Sequence, residues 1–117
     1  MKKPYQRSHR LGDLIKQEVS RLLLIEVKDP RIGMITITDV EMSSDIKRAK
    51  IFYNVGGGED KRRETQEGLN KASGFIRTAL AQTLEIKRIP EICFEYDTSL
   101  DYGEKIDRIL DSLKKES

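Results

Sequence analysis

A chain of 117 residues with 22 lysines and arginines, 20 aspartates and glutamates, one histidine and one cysteine fits a single domain with a modest core. The lone Cys93 excludes an internal disulfide, and the longest apolar run, Leu22 to Ile25, is too short to cross a bilayer, so a cytoplasmic protein without a membrane segment is expected. The net charge is only +2, but it is polarised: residues 1–58 carry 11 bases and 7 acids, residues 59–117 carry 11 bases and 13 acids.

Lys2, Lys3, Arg7, His9 and Arg10 all precede the first acid, Asp13. Residues 1–7 read as a flexible basic arm, suited to a polyanion or simply solvated. From Leu11 to about Val27, the positions Leu11, Leu14, Ile15, Val19, Leu22 and Leu23 follow helical spacing, with Ser8 as the expected N-cap. Pro30 and Gly33 in Lys28-Asp29-Pro30-Arg31-Ile32-Gly33 then end the helix.

Met34 to Met42 reads as a strand whose alternation changes phase between Ile35/Ile37 and Val40/Met42, which predicts a bulge near Thr38-Asp39. Ser43-Ser44-Asp45 supplies a turn, and Ala49, Ile51, Tyr53 and Val55 give a second strand antiparallel to the first. Gly56-Gly57-Gly58 breaks that strand. Glu59 and Asp60 open a helix running to about Leu84, with Leu69, Ala72, Ile76, Ala79, Leu80, Thr83 and Leu84 along one face.

Within that helix Gly74 costs about 1 kcal/mol relative to alanine, so a joint at Ala72-Ser73-Gly74 is expected, with two helical pieces meeting there; tight packing of another element on Gly74 is the competing explanation. Phe75 lies off the apolar face. A kink would bury it, and burial is favoured over stacking on a base. After Lys87-Arg88-Ile89-Pro90, the residues Ile92, Phe94 and Tyr96 mark a third strand. Ile106, Ile109, Leu110 and Leu113 mark a C-terminal helix within residues 100–117. The order is α, β, β, α, bend, α, β, α: one α+β domain over residues 1–117, with a three-stranded sheet covered by helices.

The chain is poor in groups for catalysis. His9 sits in the basic arm, Cys93 reads as an inert, half-buried strand thiol, and metal-ligand spacing is absent, so no catalytic residue, metal or cofactor is expected. The triple glycine fails as a phosphate cradle, because Glu59 and Asp60 follow where a P-loop carries lysine and a hydroxyl residue. Basic surface remains: Lys47, Arg48 and Lys50 at the hairpin, Lys61, Arg62 and Arg63 in the second helix, Lys71 and Arg77 beside the joint, and Lys87 and Arg88 after it.

The element order matches a type II KH domain. Lys28-Asp29-Pro30-Arg31 with Gly33, Val40-Glu41-Met42-Ser43 with Asp45, Ala49-Lys50, Ala72-Ser73-Gly74-Phe75-Ile76-Arg77, and Pro90-Glu91 with Phe94, Tyr96-Asp97 and Ser99 together resemble the ribosome-binding factor A family over nearly the whole chain. KH domains usually join their central helices by Gly-x-x-Gly, which clamps nucleotides, whereas Ala72-Ser73-Gly74 stands here, as it does in that family. The resemblance implies a non-enzymatic assembly factor, acting as a monomer, that binds 16S rRNA on the free 30S subunit and assists late rRNA maturation, including the 5′ end.

On that reading the expected phosphate contacts are Lys3, Arg7, Arg10, Lys71, Arg77, Lys87 and Arg88, with Lys28 and Arg31 next. The alternative is a protein-interaction adaptor for a ribosome-assembly GTPase, with the charges serving solubility.

Overall fold

The computed structural model describes residues 4–27, 29–32 and 34–99, with side chains from His9 onward. Its elements are α1 (Pro4–Ile25), β1 (Ile35–Met42), β2 (Arg48–Val55), α2 (Gly58–Leu84) and β3 (Glu91–Tyr96). Lys3, Lys28, the side chain of Arg7 and the C-terminal helix expected within residues 100–117 lie outside the described residues.

The sheet order is β1-β2-β3, with β1 and β2 antiparallel and β2 and β3 parallel. Both helices pack on one face. The parallel pairing needs a crossover, and α2 supplies it. Ala49, Ile51, Tyr53 and Val55 of β2 point into the helix layer, where they meet Ile15, Val19 and Leu22 of α1 and Leu69, Ile76 and Leu80 of α2. On the other face Lys50, Cys93 and Glu95 are exposed and Phe52 is half-buried.

The phase change in β1 is resolved as expected. Ile37 pairs with Tyr53 and Asp39 with Phe52, so Thr38 is the extra residue of a bulge. Past the bulge, Val40 and Met42 turn back toward α1, where a Cβ on Gly12 would meet the Met42 Cγ at 3.5 Å. The freed Thr38 hydroxyl donates to Asp97 Oδ2 at 2.6 Å, while the Asp97 amide donates to the Tyr53 carbonyl at 2.7 Å. Ser99 and Thr38 together hold the Asp97 carboxyl below the usual aspartate range.

Four expectations are corrected. Helix α1 begins at Pro4, not after a Ser8 cap, because proline suits a first helical position where its missing amide costs nothing. Helix α2 is one continuous helix of 27 residues, not two pieces meeting at Gly74. Buried Leu69, Ile76 and Leu80 on both sides hold one phase, and the penalty of a single glycine is small beside their burial.

Because the phase never shifts, Phe75 stays off the buried face and is 52% exposed rather than in the core. Cys93 is likewise exposed, not half-buried, since strand alternation places Ile92 and Phe94 toward the helices and Cys93 toward the open face.

Candidate nucleic-acid interface

Of the expected contacts, Arg31, Lys71, Arg77, Lys87 and Arg88 fall into two groups beside α2. The first begins where α1 ends and residues 29–32 fold back over α2. Arg31 binds the Asp29 carboxylate through both Nε and Nη2, at 3.0 and 2.5 Å, and the Asp29 Oδ1 also accepts the Arg31 amide at 2.9 Å. Thr65 of α2, fully buried, donates to the Arg31 carbonyl at 3.3 Å.

Arg31 is therefore committed to shaping this loop, and Lys71 is the exposed cation close enough to act on Asp29. Lys71, Ala72 and Phe75 line a hollow of about 280 Å³ together with Glu26, Val27 and Asp29. A half-exposed aromatic ring beside a lysine can stack on an unpaired base while the ammonium meets a phosphate.

The Arg31 hydrogen bonds hold the Asp29 carboxyl down at about 2. A depressed acid stabilises the folded loop at every pH above the ordinary aspartate value of about 4, and that contribution disappears as pH falls toward 2. Asp29→Asn should therefore flatten this part of the acid dependence of the melting temperature, measured by thermal unfolding at stepped pH, and leave the curve above pH 5 nearly parallel to that of the parent chain.

The second group gathers at the other end of the sheet. Parallel pairing puts Arg48 opposite Glu91, and the Glu91 amide donates to the Lys47 carbonyl at 2.9 Å. From α2, Arg77 donates to the carbonyls of Pro90 and Ile89 at 3.3 and 3.5 Å. The hairpin cations Lys47 and Arg48 thereby join Arg77, Lys87 and Arg88 around residues 89–91.

Lys47, Arg48, Lys87 and Arg88 are exposed, whereas Arg77 is half-buried and acts as a strut between helix and loop. Removing it in Arg77→Ala should lower stability by about 1 kcal/mol, given the long bonds, and should do so by loosening the strand entry; a urea melt reads this directly.

The hairpin turn that presents Lys47 is tightly specified. Ile46, a β-branched residue, adopts φ 63°, a left-handed conformation that such side chains rarely tolerate. The turn holds it there: the Ile46 amide donates to the Ser43 carbonyl, the Lys47 amide to Asp45 Oδ1 and the Arg48 amide to Ser43 Oγ. The Asp45 carboxyl, bonded by the Ser43 hydroxyl and the Lys47 amide, is held below its ordinary range.

Lys47 and Arg48 are basic in the sequence but nothing local marks them as contacts, because their proximity to Lys87 and Arg88 depends on a strand pairing that spans α2. Arg10 is exposed on α1, away from both loops in sequence and joined to neither by a hydrogen bond among the described residues. Other cations are already engaged by acids: Lys61 with Glu64, Arg63 with Asp60 and Lys50 with Glu95. Arg62 stacks on the Tyr96 ring at 3.9 Å, next to Tyr53, whose phenol is raised by burial and donates to Gln66.

Gly74 lies exposed between Lys71 and Phe75 on the first group's stretch of helix. A Cβ built on it meets nothing within 4 Å, so close packing of another element does not account for this glycine. Nearby, Ser73 donates back to the Asn70 carbonyl and Thr78 to the Gly74 carbonyl, side-chain bonds that often bend a helix without breaking it.

The family model described as ribosome-binding factor A matches residues 7–110. The chain belongs to the ribosome-binding factor A family. A ribosome-binding factor A from Halothermothrix orenii is 50% identical over 111 residues, covering 95% of this chain and 91% of the relative. The solution structure of a Thermotoga maritima protein described as a ribosome binding factor A superposes with a TM-score of 0.72 at 34% identity, covering 85% of this chain and 93% of that one.

The fold is also that of the Thermus thermophilus ribosome binding factor A fitted into the map of a complex with the 30S subunit. That comparison gives a TM-score of 0.64 at 20% identity, covering 78% of this chain and 96% of that one. No helix among the described residues is long and apolar enough to cross a membrane, and no group of potential metal ligands occurs among them.

Proposed function

We propose that this chain is a non-enzymatic assembly factor with a type II KH-like fold that binds the free 30S subunit and assists late maturation of its 16S rRNA, including the 5′ end. Membership of the ribosome-binding factor A family, with half of the residues identical to a relative of that name, carries this reading. The Thermus thermophilus relative in its 30S complex supports the choice of subunit.

Binding rests on phosphate neutralisation by Lys47, Arg48, Lys87 and Arg88 at one end and by Lys71 at the other, where the bare backbone at Gly74 and the ring of Phe75 give the rRNA a surface to approach closely. Lys3, Arg7, Arg10 and Lys28 add charge to the same task. The factor acts as a monomer, and a ribosome-assembly GTPase is a further partner rather than its sole target.

Co-sedimentation tests this reading. The chain should pellet with free 30S subunits and not with 70S ribosomes, and its affinity should fall steeply with salt. Binding to an assembly GTPase with no affinity for subunits or 16S rRNA at low salt would replace the reading with that of an adaptor.

A further inference from the structure

A second hollow lies away from the cations, between α1 and the outer edge of the sheet. It holds about 470 Å³ and is lined by Ser20, Leu23 and Leu24 of α1 and by Met34, Ile35, Thr36 and Ile37 at the start of β1. None of these residues is charged. Leu24 is 85% and Met34 96% exposed, levels at which large apolar side chains invite a cover. Strand β1 is also an edge, with β2 on one side and, among the described residues, no strand on the other, and such edges are commonly shielded by a helix or loop.

The course of the chain after β3 indicates what provides the cover. Asp97 is bonded to the Tyr53 carbonyl and to the Thr38 hydroxyl, and it also accepts the Ser99 amide at 2.9 Å and the Ser99 hydroxyl at 2.6 Å. The chain is thus carried across the end of the sheet from β3 to β1 and released beside Thr38, the neighbour of Ile37 in the groove wall.

Residues 100–117 follow. Six residues lie between Ser99 and Ile106, a reach of up to about 23 Å when extended, while Thr38 to Ile35 spans only about 10 Å of strand. In the remaining stretch, Ile106, Ile109, Leu110 and Leu113 fall within about 100° of one helical face, and Asp107, Arg108 and Asp111 fall opposite. A helix from Ile106 to Leu113 rises about 10 Å, the length of the groove wall from Met34 to Ile37.

We propose that the segment Ile106–Leu113 docks as a helix in the groove between Leu24 and Met34, its apolar face covering the open edge of β1 and its acids and Arg108 facing solvent. The link is intramolecular, with Asp97 as the tether, so the cover is present in the isolated factor.

Methyl NMR on the full chain tests this. With Met, Ile and Leu methyl groups labelled, the Met34 and Leu24 methyls should give nuclear Overhauser contacts to those of Ile109 and Leu110, unchanged on dilution, and sedimentation velocity should report a monomer. Substituting Ile109→Asp together with Leu110→Asp should abolish those contacts and move the Met34 and Leu24 signals to solvent-exposed positions, with the signals of buried Ile51 serving as the check that the fold persists. If the double variant loses the Ile51 signals as well, the contacts in the unsubstituted chain decide. Absence of the contacts there overturns the proposal, as does their appearance only at concentrations where the chain is dimeric, which assigns the groove to a second copy.

Discussion

Gly68→Ala should destabilise the protein while Gly74→Ala, six positions along the same helix, should stabilise it. A methyl group on Gly68 would stand 2.8 Å from Ile32 Cγ1 and 3.4 Å from Arg31 Cβ. The first atom is the branch of a stiff side chain set in the loop that Thr65 and Asp29 hold against α2, so the loop itself must give way. Forcing a methyl into a packed site costs about 1–3 kcal/mol, and the gain in helix propensity offsets about 1 of that, leaving a net loss of up to about 2 kcal/mol.

Gly68→Leu, with no room for its extra carbons, should lose more. At Gly74 nothing opposes the propensity gain, so the alanine variant should be more stable by about 1 kcal/mol, a rise of roughly 4 °C in melting temperature for a domain of this size. Thermal melts of the two alanine variants settle the sign at each position, and equal effects would refute the assignment of the close approach to Gly68. In the binding assay Gly74→Ala should lower 30S affinity, because its methyl group would cover exposed helix backbone one turn from Lys71 and next in sequence to Phe75, where the rRNA is proposed to approach. Unchanged affinity would remove Gly74 from the binding surface.

The two glycines also mark where sequence reasoning succeeds and where it stops. Both are visible as glycines inside an amphipathic helix, and helical geometry alone cannot say which one faces a neighbour. That depends on where residues 29–32 land. Gly68 follows Thr65 and precedes Leu69 on the side that the loop covers, whereas Gly74 is on the open side. The local penalty of Gly74 favours a broken helix, but the burial of Leu69, Ile76 and Leu80 around it outweighs that penalty. Burial of Phe75 would require the phase shift of two separate helical pieces, and the undivided helix leaves the ring exposed.

Where the pattern itself carries the geometry, the sequence is a good guide. The change of alternation between Ile37 and Val40 locates the bulge at Thr38, and the run from Ile92 to Tyr96 locates β3. What no local pattern carries is the parallel pairing of β2 with β3. The bulge could be anticipated, but the hydrogen bond from Thr38 to Asp97 across the sheet could not, and neither could the arrival of Lys47 and Arg48 beside Lys87 and Arg88.

That last juxtaposition makes the strongest demand on the proposed function. Reversing Lys47, Arg48, Lys87 and Arg88 to glutamate should leave the fold intact, since all four side chains are exposed and none of them forms an ion pair or side-chain hydrogen bond among the described residues. The hairpin geometry depends on the Lys47 and Arg48 amides, not on their charges.

If each of the four cations neutralises one phosphate, their joint loss should reduce the dependence of log affinity on log salt by about 3–4, equivalent to about a hundredfold of the change between 50 and 200 mM. The parent chain should then bind 30S subunits far better than the variant at low salt, and the two should converge as salt rises. Filter binding or sedimentation across a salt series measures both slopes. A weaker variant with the parent's slope would assign these residues to protein contacts on the subunit, and a variant with the parent's affinity and slope would leave Lys71 and the α1 cations to carry the rRNA alone.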